Sequence, residues 1–363
     1  MNSTQSRPGF ILVFSLILTA LAVFLITYLA SKSMLYLPYA QFMSQQQKAT
    51  VLAYGALQLG LSQLAEQPKK DEKIDQKPNT SQEKNAQTDD QKSFLEKVLP
   101  LLNHWQSFVL TEKVEGIDGQ VKLCITCEEG KLNLNELYDF KNHQFVGEGA
   151  PTGDAKKILQ ELFGRIEQMM GGKNVFASFE KFMKERTHRL NDVTELLMIK
   201  EFEVFRNNVF FEPTAGGPVK DKNRSLYLTD LFTVWSGKKT LEPWLFSNSI
   251  NHILGLRPVS ELEAQTRTRT VQEVVKIAKT QYNWAVDWAQ YMRPLYEKEF
   301  SALPAGVGTL LSTQVMPTSF SITADATVRQ NTVRLVAIVD RAAVQEQNAP
   351  TRYDVTIKKL YML

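Results

Sequence analysis

The sequence predicts an α+β fold in which a long N-terminal helix precedes a helical middle section and an antiparallel sheet closes the chain. An uncharged apolar run of helix length stands near the N-terminus, at 10–30. Helical periodicity dominates residues 154–296, and apolar and polar residues alternate from Phe320 onward. We therefore expect a long N-terminal helix that packs with an antiparallel sheet, and an all-helical domain inserted between the parts of this α/β unit.

Length and charge limit the classes of function. A chain of 363 residues has room for one or two folded units beyond a membrane segment. The formal net charge of +3 comes from 42 basic and 39 acidic residues that are spread along the chain. Nucleic-acid binding requires a concentrated basic face, so nucleic acid is not expected as a partner.

The apolar run at 10–30 is long enough to cross a membrane. At 1.5 Å per residue its helix would measure about 31 Å, which matches the hydrocarbon core of a bilayer. The run ends in Ala-Ser-Lys-Ser at 30–33, a poor match to a signal-peptidase site. The nine residues before it are short and polar, contain Arg7, and end in Gly9 directly before Phe10. A plain membrane anchor remains one interpretation of this segment.

The leader resembles that of type IV pilins and type II secretion pseudopilins. The resemblance implies cleavage by a prepilin peptidase between Gly9 and Phe10, although Pro8 is atypical before the glycine. Most pilins carry glutamate five residues into the mature chain, where this sequence has Phe14. In pilins that carboxylate pairs in lipid with the N-terminal amine of the subunit ahead of it. A subunit with no neighbour ahead lacks this partner, so Phe14 is compatible with a tip subunit and equally with an ordinary anchor.

The rest of the chain divides by composition and period. We predict an amphipathic stem helix over 31–66 and a disordered linker over 67–92, which has too few apolar residues to order itself. Residues 93–150 and 311–363 are predicted to form the α/β domain, which the leader resemblance implies is pilin-like, and 151–310 the inserted helical domain. One face of the stem helix is predicted to consist of Tyr54, Leu57, Leu61 and Leu64, and a further helix is predicted over 94–108. Strands are predicted at 121–125, 320–328, 333–339 and 353–359. In the helical domain, Trp284, Trp288 and Tyr291 are predicted to pack in the core.

The sequence contains only weak matches to the motifs of metal, redox or catalytic sites. Cys124 and Cys127 have CxxC spacing, but no second pair follows and the four histidines are scattered. Whether these two cysteines form a disulfide stays open. No HExxH or GxSxG motif is present, and no catalytic residue is predicted.

One motif narrows the family. The run at 127–135, CEEGKLNLN, is similar to a signature of the type II secretion minor pseudopilin K (general secretion pathway protein K) family. The matching residues are Glu128, Glu129, Gly130, Lys131, Asn133 and Asn135. Segments 192–197 and 228–234 resemble further parts of that family, whereas 248–251 matches only loosely. A plain turn, with Leu132 and Leu134 on one face of a following strand, is the alternative interpretation.

The resemblance implies a minor pseudopilin at the tip of the type II secretion pseudopilus, which starts fibre assembly and contributes to export across the outer membrane. Its implied partners are the other minor pseudopilins, the major pseudopilin, the prepilin peptidase and the inner-membrane assembly platform, with secretin or cargo as further candidates. It implies a single-pass inner-membrane protein with its globular part in the periplasm. Calcium is a cofactor by resemblance only, without assigned ligands. A type IV pilus minor pilin and a signal-anchored periplasmic enzyme are the alternatives.

Overall fold

The architecture is taken from a computed structural model. The structure describes residues 8–65, 92, 94–212, 226–257, 264–279, 281–315, 317–344 and 352–363. The predicted linker over 67–92 lies outside the described residues except at Lys92, and Met1–Arg7 of the leader also lies outside them.

After the first helix, strands precede and follow the helical middle section along the chain. The helices are α1 Pro8–Ala65, α2 Glu112–Glu115, α3 Leu134–Leu137, α4 Ala155–Met170, α5 Val175–Glu185, α6 Leu228–Leu231, α7 Asn248–Leu254, α8 Ala264–Lys276, α9 Trp284–Tyr291 and α10 Arg293–Tyr296. The strands are β1 Gln106–Leu110, β2 Gly119–Cys127, β3 Leu132–Asn133, β4 Tyr138–Asp139, β5 Gln144–Phe145, β6 Phe232–Thr233, β7 Ser319–Val328, β8 Asn331–Val344 and β9 Arg352–Met362. Turns of 3₁₀ helix lie at Leu99–Leu101, Glu128–Gly130, Val193–Met198, Lys200–Phe205, Pro243–Leu245, Phe300–Ala302 and Val307–Leu310.

Helix α1 is one uninterrupted element. Its 58 residues correspond to a length of about 87 Å, and it continues through Pro38. The first half is exposed, whereas the second half packs on the sheet through a face of mostly small residues. That face comprises Ala49, Ala53, Ala56, Leu57, Gly60 and Leu64. Tyr54 was predicted to lie on it but is 43% exposed, because close approach to the sheet selects small side chains and turns the tyrosine aside.

The main sheet joins the two ends of the folded chain. Its order is β1-β2-β7-β8-β9, and every neighbouring pair is antiparallel. The strands predicted at 121–125, 320–328, 333–339 and 353–359 are all present, as parts of β2, β7, β8 and β9. The predicted α+β class, with a long N-terminal helix, an antiparallel sheet and further helices, is confirmed.

Two expectations were wrong. Helix was predicted over 94–108, but residues 94–101 are helical and Gln106–Leu110 forms β1, because Phe108 pairs opposite Val121 at the sheet edge. The middle section was predicted to be all-helical, but Phe232–Thr233 forms β6, which pairs in parallel with Leu132–Asn133. The domain boundaries themselves stay a prediction.

The predicted aromatic face of the middle section is core. Trp284, Trp288 and Tyr291 are at most 4% exposed. The ring of Tyr282 stacks on Trp284 with centroids 4.5 Å apart, and the indole of Trp284 donates to the carbonyl of Ser312 at 2.6 Å. These contacts fix α9 against the segment that leads back to the sheet.

Candidate functional site

The CEEGKLNLN motif lies at the junction between the sheet and the helical section. Glu128–Gly130 forms a 3₁₀ turn directly after β2, and β3 and α3 follow it. All six residues of the signature are buried. We call the five side chains of Glu128, Glu129, Lys131, Asn133 and Asn135 the polar junction. Leu132 and Leu134 do not share a strand face as predicted, because the strand ends at Asn133, whose side chain caps α3 by accepting from the Asn135 N–H at 3.1 Å.

A buried ion pair lies at the centre of the polar junction. Lys131 Nζ donates to Glu128 Oε1, and the hydroxyl of Thr233 donates to Glu128 Oε2. Lys131 also donates to Ser321 Oγ on β7 at 3.0 Å. The two charged side chains are 2% and 3% exposed, so each depends on the other for charge compensation. The pair thus connects the sheet to β6 of the helical section.

Glu129 binds the beginning of β7. Its Oε1 accepts from the N–H and the hydroxyl of Thr318, both at 2.7 Å, and from the N–H of Ser319 at 3.1 Å. The thiol of Cys127 donates to Oε2 at 3.2 Å. A carboxyl buried in this way has its acceptor capacity filled and leaves no group free for chemistry.

Gly130 has no space for a side chain. A Cβ on this residue would lie 1.9 Å from the carbonyl oxygen of Leu245. The main chain pairs on both sides of it, since Glu242 N–H donates to Glu129 O at 2.8 Å and Ser247 N–H donates to Gly130 O at 3.2 Å. The glycine of the motif is therefore required by close backbone packing of the helical section on the turn.

The two asparagines connect the turn to separate loops. Asn135 pairs with both backbone groups of Leu190, donating to its carbonyl at 2.8 Å and accepting from its N–H at 2.9 Å. Asn133 Nδ2 donates to Ser236 Oγ at 2.8 Å. The signature residues thus bind the sheet, β6 and two loops to one another.

Two further buried carboxyls lie beside the junction. Burial raises the pKa of Asp230 and raises that of Glu242 well above its usual value, while Lys131 and Lys238 respectively oppose these shifts. Asp230 accepts from the Ser249 N–H at 2.7 Å. Within the described part of the chain, Asp230 Oδ1 and Glu242 Oε1 have no hydrogen-bond partner. Both features favour the neutral form of each carboxyl.

The cysteine pair does not form a site. Cys124 and Cys127 are three residues apart in β2, so they point to opposite faces of the sheet. Three residues of strand span about 10 Å, beyond the ~7 Å between Cα atoms that a disulfide tolerates. Both thiols are free and buried, and burial raises the pKa of each, with Glu129 adding to the effect at Cys127. A buried, neutral thiol is not a reactive nucleophile.

The described part of the structure contains no cluster of side chains suited to bind calcium. Among the described residues, no three Asp, Glu, His or Cys side chains converge as metal ligands. The acidic groups of the motif are engaged by Lys131, hydroxyls and backbone N–H groups instead. The described residues therefore do not provide a carboxylate-built calcium site.

Sequence reasoning missed a contact between β9 and the helical section. Asp192 begins the 3₁₀ turn Val193–Met198 in a capping box with Glu195, and the hydroxyl of Tyr361 on β9 donates to Asp192 Oδ2. The ring of Phe210 packs edge-on against Tyr361 with centroids 5.4 Å apart. The Asp-x-x-Glu spacing is a sequence signal for the start of a helical turn, but Tyr361, which contacts Asp192, lies 169 residues away.

The residues predicted for processing lie at the other end of α1. Gly9 and Phe10 fall within the first turn of the helix, and Phe14 is 58% exposed further along it. Among the described residues, one helix is long and apolar enough to cross a membrane, and this is α1, whose most apolar window is 0% buried. The polar junction and the residues predicted for processing thus lie in separate parts of the structure.

No protein-family model and no curated protein matches the chain. Among solved structures, the chain is similar to a chain of the GspK-GspI-GspJ complex from the enterotoxigenic Escherichia coli type 2 secretion system. The identity is 13% and the TM-score 0.45, over 89% of this chain and 99% of that chain. At these values it is a likeness of general arrangement only.

Proposed function

We propose that the chain is a minor pseudopilin of the type II secretion system, anchored in the inner membrane by α1 with its globular part in the periplasm. The observation that supports this most strongly is the two-part use of one helix. Leu12 to Leu29 expose an uncharged apolar surface, and the same helix continues without a break to the face that packs on the antiparallel sheet. A helix built in this way can leave lipid for a fibre core without refolding the globular part.

Phe14 supports a place at the tip of the fibre. The side chain five residues into the proposed mature chain is apolar, so the subunit needs no amine from a subunit ahead of it. The subunit would start assembly with the other minor pseudopilins, and the major pseudopilin would follow. The inner-membrane platform would extract it, and secretin or cargo would meet the helical section.

No catalytic role is part of the proposal. The buried charged groups of the polar junction are satisfied by Lys131, hydroxyls and backbone N–H groups, and they connect the sheet to the helical section. A rigid connection of this kind suits a subunit that transmits force from a membrane helix to an outer domain. The junction is thus a structural element of the proposed function.

The test is N-terminal sequencing and intact mass of the chain from membranes, with and without a co-expressed prepilin peptidase. We expect a mature chain beginning at Phe10 only when the peptidase is present. The variant Gly9→Val should stay uncleaved, while Ser6→Ala, outside the cleaved bond, should be processed normally. A chain that begins at Met1 in all samples would identify an ordinary anchored protein.

Secretion is tested separately from processing. A strain that lacks the chain should retain its type II substrates in the periplasm, and the wild-type chain should restore their export. The uncleaved Gly9→Val variant should not restore it. Normal export in the deletion strain together with lost pili would assign the chain to a type IV pilus.

A further inference from the structure

The sheet face opposite α1 meets the helical section across a narrow cavity. Gly60 of α1 lies against Ile322 of β7, so the next residue, Thr323, projects from the opposite face. Thr323 stands opposite Val336 on β8, and Val336 stands opposite Tyr361 on β9. Opposed residues of antiparallel strands share a face, so these three residues form one row beneath the helical section.

The cavity lies over this row. It has a volume of about 30 Å³, and Thr323, Val336 and Tyr361 all line it. Its other wall is aromatic and belongs to the helical section, with Phe210, Phe211, Phe232 and Trp235. A water molecule requires about 10–15 Å³ of cavity volume, so this cavity has room for one or two.

The ion pair of the polar junction forms one side of the cavity. Lys131 and Glu128 both line it, together with the hydroxyls of Thr126 and Ser321. An ammonium group has three N–H donors, and among the described residues Lys131 uses two of them, for Glu128 and Ser321. Each carboxylate oxygen can accept two hydrogen bonds, whereas those of Glu128 accept one each, from Lys131 and Thr233. The pair therefore has a donor and acceptor sites left over at the cavity.

The contact between β9 and the helical section forms the other side. The hydroxyl of Tyr361 donates to Asp192 Oδ2, and both residues line the cavity. The phenol oxygen can still accept a hydrogen bond, and so can the carboxylate oxygen. Burial raises the pKa of the Tyr361 phenol, Asp192 adds to this effect, and Glu128 adds a smaller part. The carboxylate of Glu128 thus acts on the phenol across the cavity.

The two sides are too far apart for a direct hydrogen bond. Neighbouring strands lie about 4.8 Å apart, so the Cα atoms of Thr323 on β7 and Tyr361 on β9 are separated by ~10 Å. Two water molecules in line between two hydroxyls make three hydrogen bonds of about 2.8 Å and so span ~8 Å. Cavities lined only by apolar groups stay empty, whereas a cavity that offers each water two or more polar partners is filled. The polar groups on both sides therefore favour water.

A bound ion suits the cavity less well than water. The ammonium group of Lys131 repels a cation, and the carboxylates of Glu128 and Asp192 repel an anion. In the part of the chain that the structure describes, no three Asp, Glu, His or Cys side chains converge as metal ligands. Water both donates and accepts hydrogen bonds, so it matches a lining that offers acceptors as well as donors.

We infer that the cavity holds one or two ordered water molecules, which bridge the Lys131–Glu128 ion pair to the hydroxyls of Thr323 and Tyr361. The polar junction and the contact of β9 with Asp192 are then parts of one hydrogen-bonded network. This network ties the helical section to β7 and β9 together, although β8 separates those two strands in the sheet.

The direct test is a crystal structure of the full chain in detergent, at a resolution at which ordered water is visible. We expect one or two density peaks in the cavity, each within about 3.2 Å of at least two polar atoms of Lys131, Glu128, Thr323 and Tyr361. An empty cavity would overturn the inference. A peak with the anomalous signal of an ion, or density for an organic additive, would overturn it as well.

A double-mutant cycle tests the bridge in solution, by urea unfolding of the full chain in detergent micelles. Thr323→Val and Tyr361→Phe each remove one hydroxyl and keep the shape of the side chain. Each change should lower the folding equilibrium constant about fivefold, which corresponds to one hydrogen bond. Loss of one hydroxyl already disrupts the bridge, so the double variant should lose clearly less than the product of the two single losses. Side chains ~10 Å apart without a bridge act independently.

Thr356→Val is the matched control, because Thr356 is exposed on β9 and the same exchange there removes a hydroxyl that faces solvent. It should keep the folding equilibrium constant within about twofold of wild type and combine multiplicatively with Tyr361→Phe. Two results of the cycle would contradict the bridge. One is a double variant in which the losses from Thr323→Val and Tyr361→Phe multiply. The other is a Thr323→Val protein at least as stable as wild type, which a dry cavity predicts.

Discussion

The guanidinium of Arg341 donates a hydrogen bond to the carbonyl of Leu64 at 2.9 Å and so closes the C-terminal end of α1 against β8. The guanidinium carbon lies 4.2 Å from the ring centre of Phe94 and 3.4 Å from that of Tyr353. Arg341 is 7% exposed, and it joins the end of the long helix, the segment that enters the sheet and strand β9.

Arg341→Met should destabilise the fold. The change keeps most of the aliphatic volume but removes the bond to the last turn of α1 and two cation–π contacts, which together contribute about 2–4 kcal/mol. Urea unfolding of the full chain in detergent micelles measures the loss. Arg269→Met, on a side chain that is 82% exposed, is the control and should change stability by less than ~0.5 kcal/mol. Equal effects of both changes would contradict the assigned role.

Gly130→Ala should be among the most damaging small substitutions. The added methyl group would meet the Leu245 carbonyl, so the turn and the helical section must separate, at a cost of about 3 kcal/mol or more. Gly164→Ala is the matched control, because it lies in α4 with open space around it and should stabilise the helix by up to ~1 kcal/mol. Thermal unfolding of both variants compares them. A Gly130→Ala protein that melts with the wild type would mean that the junction is looser than described.

Lys131→Met should cost about 3–5 kcal/mol, because it leaves the Glu128 carboxylate buried without its cation. The double variant Lys131→Met, Glu128→Gln removes both charges and should recover most of the loss. Unfolding free energies of the two single variants, the double variant and wild type form a cycle that isolates the pair. Lys181→Met, whose pair with Glu185 is exposed, serves as the surface control. If the double variant is as unstable as the single variant, charge burial is not the cause.

Glu242→Gln should stabilise the protein in a pH-dependent manner. Burial raises the pKa of Glu242 in the folded chain well above its usual 4.5. At a pH between the usual pKa and the raised pKa, the folded chain therefore binds a proton that the unfolded chain has released. Folding therefore loses stability as pH rises from about 4.5 through the raised pKa, and glutamine removes this loss. The variant and wild type should unfold alike near pH 4, with the variant ahead at pH 7–8. A constant difference across this pH range would exclude ionisation of Glu242 as the cause.

The matched control for that titration is Glu297→Gln. Glu297 is exposed and pairs with Arg257 at the surface, so the same substitution there removes a carboxyl that is not buried. The comparison separates ionisation of the buried carboxyl from the titration of surface groups.

The sequence alone determined the elements that repeat a strong local pattern. The apolar run at 10–30, the alternation from Phe320 onward and the heptad-like leucines of the stem specify helix or strand without help from distant residues. Gly130 predicted a turn from the sequence alone, because glycine between polar residues favours a turn. The α+β class follows from these patterns in order.

The tertiary structure alone decided the elements whose sequence pattern was ambiguous and the contacts whose two residues are far apart in the sequence. Residues 106–110 end in three consecutive apolar residues, a pattern that does not distinguish helix from strand, and pairing with β2 selected the strand. The face of α1 was decided by close approach to the sheet, which favoured Ala53 and Gly60 over Tyr54. The polar junction depends on contacts such as Glu129 with Thr318, 189 residues apart, and no periodicity encodes such a distance. Local propensity chooses elements, whereas burial of charge and backbone packing choose their partners.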